Sequence, residues 1–420
     1  MGQRGNGKLA RHSPECIEGR RRVCYNADES IMAKGKPKSY QHRATVPPIY
    51  QSAVFDFERV EDLAAQIKSG PEFPPSVDDL TYIYARGGNP TQRKLELDLA
   101  ALELTDDGLV FASGMAAITA AALTFAESGC EVAVGYPVYG DTYAVFADLL
   151  PRFGVTASFI DTSDISEVRR AMKRSPRMLF CETPANPSLA VTDLKAVARL
   201  CKKHDCLLVV DNTFATPVNQ NPVALGADLV VHSLTKFIGG HSDLVGGAVV
   251  GGRDLITRIR LTQFITGGIL DPFAAWLVMR SLKTLQLRVQ RQNENALALA
   301  KLLEKHPKVA RVHYPGLTSS PHRRVAKKQM RGFGGIVSFE LKGGLRKAKR
   351  FVNRLKGARI AVSLGSTETL IQIPALITHR IVPKGVQESL GIPRDLVRVA
   401  VGIEPATELL ANFRRALRDL

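Results

Sequence analysis

Four short segments carry side chains whose types and spacing could do chemistry. The first, Leu229–Gly240, reads LVVHSLTKFIGG: an apolar strand that ends in Ser233, Thr235 and Lys236 and runs on into two glycines. A lysine at the carboxyl end of a strand opens into the crevice where α/β proteins bind ligands. Its amine, with the pKa lowered by its surroundings, can form an imine with an aldehyde cofactor. Ser233 and Thr235 add hydroxyls suited to a phosphate. On this segment alone a surface lysine following a strand explains the pattern equally well. The second segment, LLVVDNTFATP, ends a near-continuous apolar strand in Asp211, twenty-five residues before Lys236 (236 − 211). A carboxylate there needs a cation or hydrogen bonds. It could hold a proton on a cofactor's ring nitrogen and make that ring an electron sink. A turn or N-cap aspartate is the alternative, and the spacing to Lys236 favours the functional reading. The third, VFASGMAA, passes through Ser113 and Gly114 into a helix beginning near Met115, whose free amides suit a phosphate. Many strand–helix turns look alike, so this pattern is weak alone. The fourth, YPVYGDT, places Tyr139 at another such turn, where the ring either stacks on a planar cofactor or simply packs.

The elements around these segments must hold them in place. From about residue 107, short apolar runs alternate with helical stretches: VFASG, the helix-like MAAITAAALTFAE, EVAVG, YAVFADLL, RMLFCE, a helix around LKAVARLCKKH, LLVVD and DLVVHS. Short, non-alternating, β-branched runs between helices predict a mostly parallel sheet covered on both faces, an α/β layered domain. A helical stretch follows from about Pro272 to His306. Beyond Gly316, GGIVSFEL, RIAVSL and LVRVAVGI read as strands and KAKRFVNRL and ATELLANFRRAL as helices, which predicts a smaller α+β C-terminal domain. Residues 1–40 are polar, basic and aperiodic and read as a disordered tail. Met32 opens MAKGKPKSY and is read as an alternative start, so intact mass from the native host is expected to lack residues 1–31.

Composition narrows the classes. The chain has 420 residues, 45% hydrophobic and 23% charged, enough for one larger and one smaller core. It contains no apolar run of membrane-spanning length and no signal-peptide pattern. The six cysteines show no CxxC spacing, so neither a disulfide framework nor a zinc site is expected, and reduced cytoplasmic thiols fit better. Cys201 and Cys206 are read as packing. Of the net charge of +17, the first forty residues supply +5, nine Lys or Arg less four acids. No aromatic-interleaved basic stripe accompanies it, which speaks against nucleic acid as a partner.

Together the segments resemble the Cys/Met-metabolism family of pyridoxal-phosphate (PLP) enzymes, which includes cystathionine γ-synthase, the cystathionine lyases, methionine γ-lyase and the homoserine sulfhydrylases. YARGGNPT, ASGM, ETPANP, VVDNT, HSLTKFIGGHSD and LVRVAVGIE fall in family order over roughly residues 45–418. The resemblance implies the PLP-dependent, aminotransferase-like fold type I. It implies an N-terminal arm over 41–105, a PLP-binding α/β domain over 106–305 and a C-terminal α+β domain over 306–420. It implies that Lys236 forms the Schiff base and shuttles protons, that Asp211 pairs with the pyridine nitrogen, and that Tyr139 stacks on the ring and helps as acid or base. Gly114, Met115, Ser233 and Thr235 would hold the phosphate. Tyr84 and Arg86 would reach the cofactor of a neighbouring subunit, Arg86 as a planar donor of fixed charge. The active site would then exist only in a homodimer, commonly paired into a homotetramer. Asn186 and Arg398, with Ser363 beside them, would fix the substrate's carboxylate.

The implied function is a C–S lyase acting by α,γ-elimination on a sulfur amino acid in transsulfuration or methionine metabolism, with a γ-replacement synthase using a homoserine-derived substrate as the alternative. Val362 stands where cystathionine enzymes resemble one another in carrying glutamate. Read as a buried valine, it offers no counter-charge to a distal ammonium and places methionine or homocysteine ahead of cystathionine. Asp141 departs from both patterns and is read as a helix cap in preference to a substrate contact. Gln263 and Phe264 replace a Lys-Asp pair typical of methionine γ-lyases. Arg380 is read as a solvated loop charge, with attraction of an acidic substrate tail as the other reading.

Overall fold

Runs of four or five apolar residues with scarcely a polar side chain make strands buried on both faces. The structure, a computed structural model that describes residues 44–68, 82–378, 385 and 393–420, has seven strands in its larger sheet, five of them at the expected places. They are β1 (Asp107–Phe111), β2 (Glu131–Gly135), β3 (Thr156–Ile160), β4 (Met178–Glu182), β5 (Leu207–Asp211), β6 (Leu229–Ser233) and β7 (Gly247–Gly251). The sheet order is β1-β7-β6-β5-β4-β2-β3. Strands β2 to β6 pair in parallel, and β7 runs antiparallel to both β6 and β1. The mostly parallel α/β sheet is therefore present, with two strands the sequence reading omits: TASFI carries two hydroxyls, and GAVVG is flanked by glycines that read as loop.

Successive residues feed opposite faces. Leu109, Val134, Phe180, Val209, Val231 and Val249 meet the helices Gly114–Phe125 and Arg253–Thr266. On the other face Val110, Val230 and Val250 meet Leu95, Leu99 and Val278, while Leu179, Leu208 and Val210 meet Val168, Leu194 and Val197. Each such burial contributes roughly 1.5–3 kcal/mol, and it holds the strand ends where the chemistry-bearing residues sit. Cys181, Cys201 and Cys206 are buried free thiols in the second of these layers. Cys201 and Cys206 are thus packing residues, as expected.

A second sheet, order β10-β11-β12-β9-β8, is built from β8 (Val309–His313), β9 (Ile336–Leu341), β10 (Arg359–Ile360), β11 (Leu370–Gln372) and β12 (Val397–Ala400). Phe339 on β9 meets Phe351 of helix Gly344–Arg354 edge-on at 5.6 Å, and Phe351 meets Phe413 of helix Ala406–Arg418 at 5.8 Å. The carbonyls at the end of that last helix accept from Lys308 (2.9 and 3.0 Å), Arg350 (3.2 Å) and Arg354 (2.9 Å). Part of the basic excess thus satisfies a helix C-terminus, where cations are favoured.

Two elements differ from expectation. The helical stretch from Pro272 breaks at Lys283–Thr284 into Pro272–Leu282 and Leu285–Glu304. The break lets buried Arg288 reach the carbonyls of Ser281 (3.0 Å), Phe237 (2.7 Å) and Ile238 (3.1 Å). RIAVSL pairs as a strand only at Arg359–Ile360 and then turns inward. The tail over 1–40, Met32, Cys16, Cys24 and Arg380 lie outside the described residues. Among the described residues no helix is long and apolar enough to cross a membrane.

Candidate active site

Glu182, Asp211 and Ser233 end β4, β5 and β6, and Tyr139 follows just after β2. All lie at the carboxyl edge of the parallel strands, where open α/β sheets bind ligands. Lys236 follows Ser233 in a loop braced by the Arg288 contacts described above. Its Nζ donates to Ser363 Oγ at 2.8 Å. Burial pulls its pKa down to about 8; the Arg398 charge adds to this and Asp141 opposes it. The amine is therefore much closer to its free-base form near neutral pH than an ordinary lysine.

The loop carrying Ser363 is held hard against Lys236. Ser363 has φ +76°, a left-handed conformation that costs a non-glycine residue on the order of 1–3 kcal/mol. At Gly365, with φ +80°, an added Cβ would lie 2.4 Å from Phe237 N and 2.8 Å from the Lys236 carbonyl carbon. Gln292 of helix Leu285–Glu304 donates to Ser366 O at 2.8 Å. One helix thus pins both loops.

Arg398, on β12 and only 2% exposed, donates to Asn186 Oδ1 (3.0 Å) and to Ser363 O (2.8 Å). Gln372, opposite it on β11, accepts from Nε (3.3 Å) and Nη1 (3.2 Å) with its amide oxygen turned inward. Burial lowers its pKa to about 10, so it stays a cation at neutral pH. These partners are all neutral, and a buried cation ringed by neutral acceptors suits an incoming carboxylate.

Asp211 Oδ1 accepts from Thr213 N at 2.9 Å. Burial raises its pKa, with Thr213 and His232 working against the rise. Asn212, the next residue, donates to Glu103 Oε1 (2.7 Å), which also meets His232 Nε2 at 2.6 Å in a fully buried network. Thr213 Oγ1 in turn accepts from Ser233 N at 2.9 Å. Ser113 caps helix Gly114–Phe125 through Ala116 N at 3.0 Å, which leaves the amides of Gly114 and Met115 to serve a ligand. A Cβ on Gly114 would stand 2.9 Å from Ser233 Cβ, so glycine allows this close approach. Thr235 Oγ1 is engaged with Gly246, accepting from its N at 3.0 Å and donating to its O at 3.3 Å.

Glu182 is the functional residue that sequence reasoning missed. Its Oε1 accepts from Tyr139 N (2.8 Å) and its Oε2 from Asn186 N (3.1 Å). It stands in register beside Asp211. Burial, and then the Asp211 charge, pushes its pKa up. The signal was available: RMLFCE ends an apolar strand in an acid just as LLVVD does.

A continuous chain of neighbours therefore runs from Gly114 through Ser233, Thr213, Asp211, Glu182, Asn186, Arg398 and Ser363 to Lys236, with Tyr139 joined to it at Glu182. Tyr84 and Arg86 stand apart. Both are exposed, and Arg86 donates to Phe264 O at 2.7 Å with its guanidinium 4.2 Å from the Phe264 ring centroid.

Two expectations are corrected. Asp141 caps no helix: Tyr139 occupies the cap position of Gly140–Ala144 without a side-chain bond, and Asp141 Oδ2 accepts from the Tyr139 hydroxyl at 2.7 Å. Val362 is not buried but 58% exposed, because the chain must turn there to deliver Ser363. A cleft of about 510 Å³ lined by Cys130, Arg174, Arg177 and His204 lies at the opposite, amino-terminal edge of the sheet and contains none of these residues. Among the described residues no His/Cys/Asp/Glu group could hold a metal ion.

Known proteins resemble this chain over most of its length. The family model for Cys/Met metabolism PLP-dependent enzymes matches residues 29–418. An L-methionine gamma-lyase of Fusobacterium nucleatum is 42% identical over 376 residues, covering 89% of this chain and 93% of that protein. A cystathionine gamma-lyase of Bacillus subtilis is 44% identical over 340 residues, covering 81% and 89%. The crystal structure of cystathionine gamma synthase from Xanthomonas oryzae in complex with cystathionine superposes with a TM-score of 0.83 at 37% identity, covering 89% and 93%.

Proposed function

Because the chain belongs to the Cys/Met-metabolism family of PLP-dependent enzymes, we propose that it is a carbon–sulfur lyase that cleaves a γ-thioether or γ-thiol amino acid by α,γ-elimination. The balanced reaction consumes one water and yields 2-oxobutanoate, ammonia and a thiol, or hydrogen sulfide when the substrate is a γ-thiol. The observation that carries the reading is the chain of neighbours joining Asp211 to Lys236 through Arg398. The residues present fit PLP: an amine of depressed pKa, a half-buried carboxyl at Asp211 that accepts from Thr213 N, and amides and a hydroxyl at Gly114, Met115 and Ser233. Asp211 would face the pyridine nitrogen, Tyr139 the ring, and Gly114, Met115, Ser233 and Thr235 the phosphate. When bound, PLP supplies an electron sink for charge developing at the substrate's α-carbon.

The protein's own groups do the rest. Arg398 and Asn186 bind the α-carboxylate, and that orients the α-proton toward the Lys236 amine. Lys236, partly free base near neutral pH, takes and returns protons, with Ser363 Oγ fixing where Nζ stands. Tyr139 holds its proton as a phenol, since burial and the hydrogen bond to Asp141 both raise its pKa. Tyr84 and Arg86, exposed on this chain, would serve the site of a second copy, which makes a homodimer or homotetramer the working form; the cytoplasm is its proposed place. The lyases among the relatives support elimination, and the synthases among them keep γ-replacement as the competing reading.

The test incubates PLP-loaded protein with L-methionine or L-homocysteine and quantifies methanethiol or hydrogen sulfide respectively, with 2-oxobutanoate and ammonia. Equal release of all three is expected, and Lys236→Ala should abolish it. No release, together with thioether formation from an O-acyl-homoserine and cysteine, would replace the lyase reading with the synthase.

A further inference from the structure

Asp141 has no structural task that accounts for it. It sits on the first turn of Gly140–Ala144, exposed, and satisfies no backbone amide there. Its Oδ2 accepts from the Tyr139 hydroxyl at 2.7 Å, which leaves Oδ1 without a partner among the described residues. Its partner Tyr139 is bonded to Glu182 at the carboxyl edge of the parallel strands, so the carboxylate belongs to the same site. The site's other acids are differently placed: Asp211 and Glu182 end β5 and β4, and both oxygens of Glu182 are taken by backbone amides. Arg398 already provides for a substrate's α-carboxylate. Val362 carries no charge. Asp141 is therefore the acid that is free to meet a cation on the part of the substrate that leaves.

We propose that Asp141 is a specificity-determining residue that selects γ-thioether amino acids whose departing thiol carries an ammonium group, over those with a neutral tail. The inference rests on the lyase reading above. Oδ1 takes the ammonium while Oδ2 keeps the Tyr139 proton, so one carboxylate positions both the phenol and the tail. The counter-charge that Val362 cannot offer comes from a different loop of the same site.

Two substrates of nearly equal shape isolate the charge: S-(2-aminoethyl)-L-homocysteine and S-propyl-L-homocysteine. Their kcat/KM values for 2-oxobutanoate release are measured on PLP-loaded wild type and on Asp141→Asn. The amide keeps an acceptor for the Tyr139 hydroxyl and removes the charge. Cysteamine leaves more readily than propanethiol, so the quantity read is the change in the ratio on substitution. The ratio should fall about fivefold, the upper end for an ion pair made by an exposed carboxylate. A change below about twofold, within ordinary additivity error, overturns the proposal. If neither substrate is cleaved, elimination is the wrong reaction. The affinities of the same two compounds, read from the absorbance of the bound cofactor, still decide the role of Asp141 by the same ratio.

Discussion

Gly365→Ala tests how tightly the Lys236 loop and the Ser363 loop are held together. Two separate penalties apply. At φ +80° an alanine is in the left-handed region, which costs roughly 1–2 kcal/mol. The new methyl would also stand 2.4 Å from Phe237 N and 2.8 Å from the Lys236 carbonyl carbon. Those are backbone atoms, so no side chain can swing aside. The loops must part by roughly the shortfall from ordinary contact, on the order of 1 Å. Ser363 Oγ stands 2.8 Å from Lys236 Nζ, and such a shift breaks that bond. Misplacement of this size costs about 100-fold in rate. Gly344→Ala is the control: its φ is +66°, and nothing lies within 4 Å of an added Cβ. Urea unfolding of the cofactor-free proteins should show a loss of about 1 kcal/mol for Gly344→Ala, a larger loss for Gly365→Ala, and a fall in kcat only for the latter. Equal losses in the two variants, or full activity in Gly365→Ala, would refute the close approach.

Lys236→Met should stabilise the cofactor-free protein at pH 7. The lysine's folded pKa of about 8 lies below its ordinary 10.5, so folding penalises the charged form below pH 8. The unfolded chain binds the extra proton between the two values, and stability rises with pH across that window. The variant should be about 3 kcal/mol more stable at pH 7, and the gap in urea unfolding should close as pH approaches 10.5; a gap independent of pH contradicts the buried amine. Glu182→Ala removes the acceptor of both Tyr139 N and Asn186 N. It should weaken carboxylate binding at Arg398 by about tenfold or more, on the basis of 1–3 kcal/mol per unsatisfied donor, while Lys236 retains the cofactor. Titration of the bound cofactor's absorbance with glycine measures this, and unchanged affinity would remove Glu182 from the site.

Lys236, Asp211 and Arg398 were legible in the sequence because each is an ionisable group in or at the end of an otherwise apolar strand. Glu182 obeys the same rule, closing the apolar strand Met178–Glu182. Asp141 was misread because an acid at the start of a short helix usually caps it, and only the geometry of the Tyr139 hydroxyl distinguishes the two uses. RIAVSL has strand propensity, yet Ser363 must leave the sheet to meet Lys236, a tertiary demand that local pattern does not encode. The break at Lys283–Thr284 has the same origin, since Arg288 serves carbonyls some fifty residues earlier in the chain. Tyr84 and Arg86 are exposed on this chain, and the role proposed for them lies at a second copy, which one chain does not display.

The central claim is that Lys236 is the residue that bonds the cofactor, and one measurement addresses it directly. PLP-loaded protein is reduced with borohydride, digested and mapped by mass spectrometry. The account predicts a pyridoxyl group on the peptide carrying Lys236 and on no other lysine, and its loss from the map in Lys236→Ala. A stable pyridoxyl adduct on a different lysine, or none on a protein that retains PLP, would contradict it.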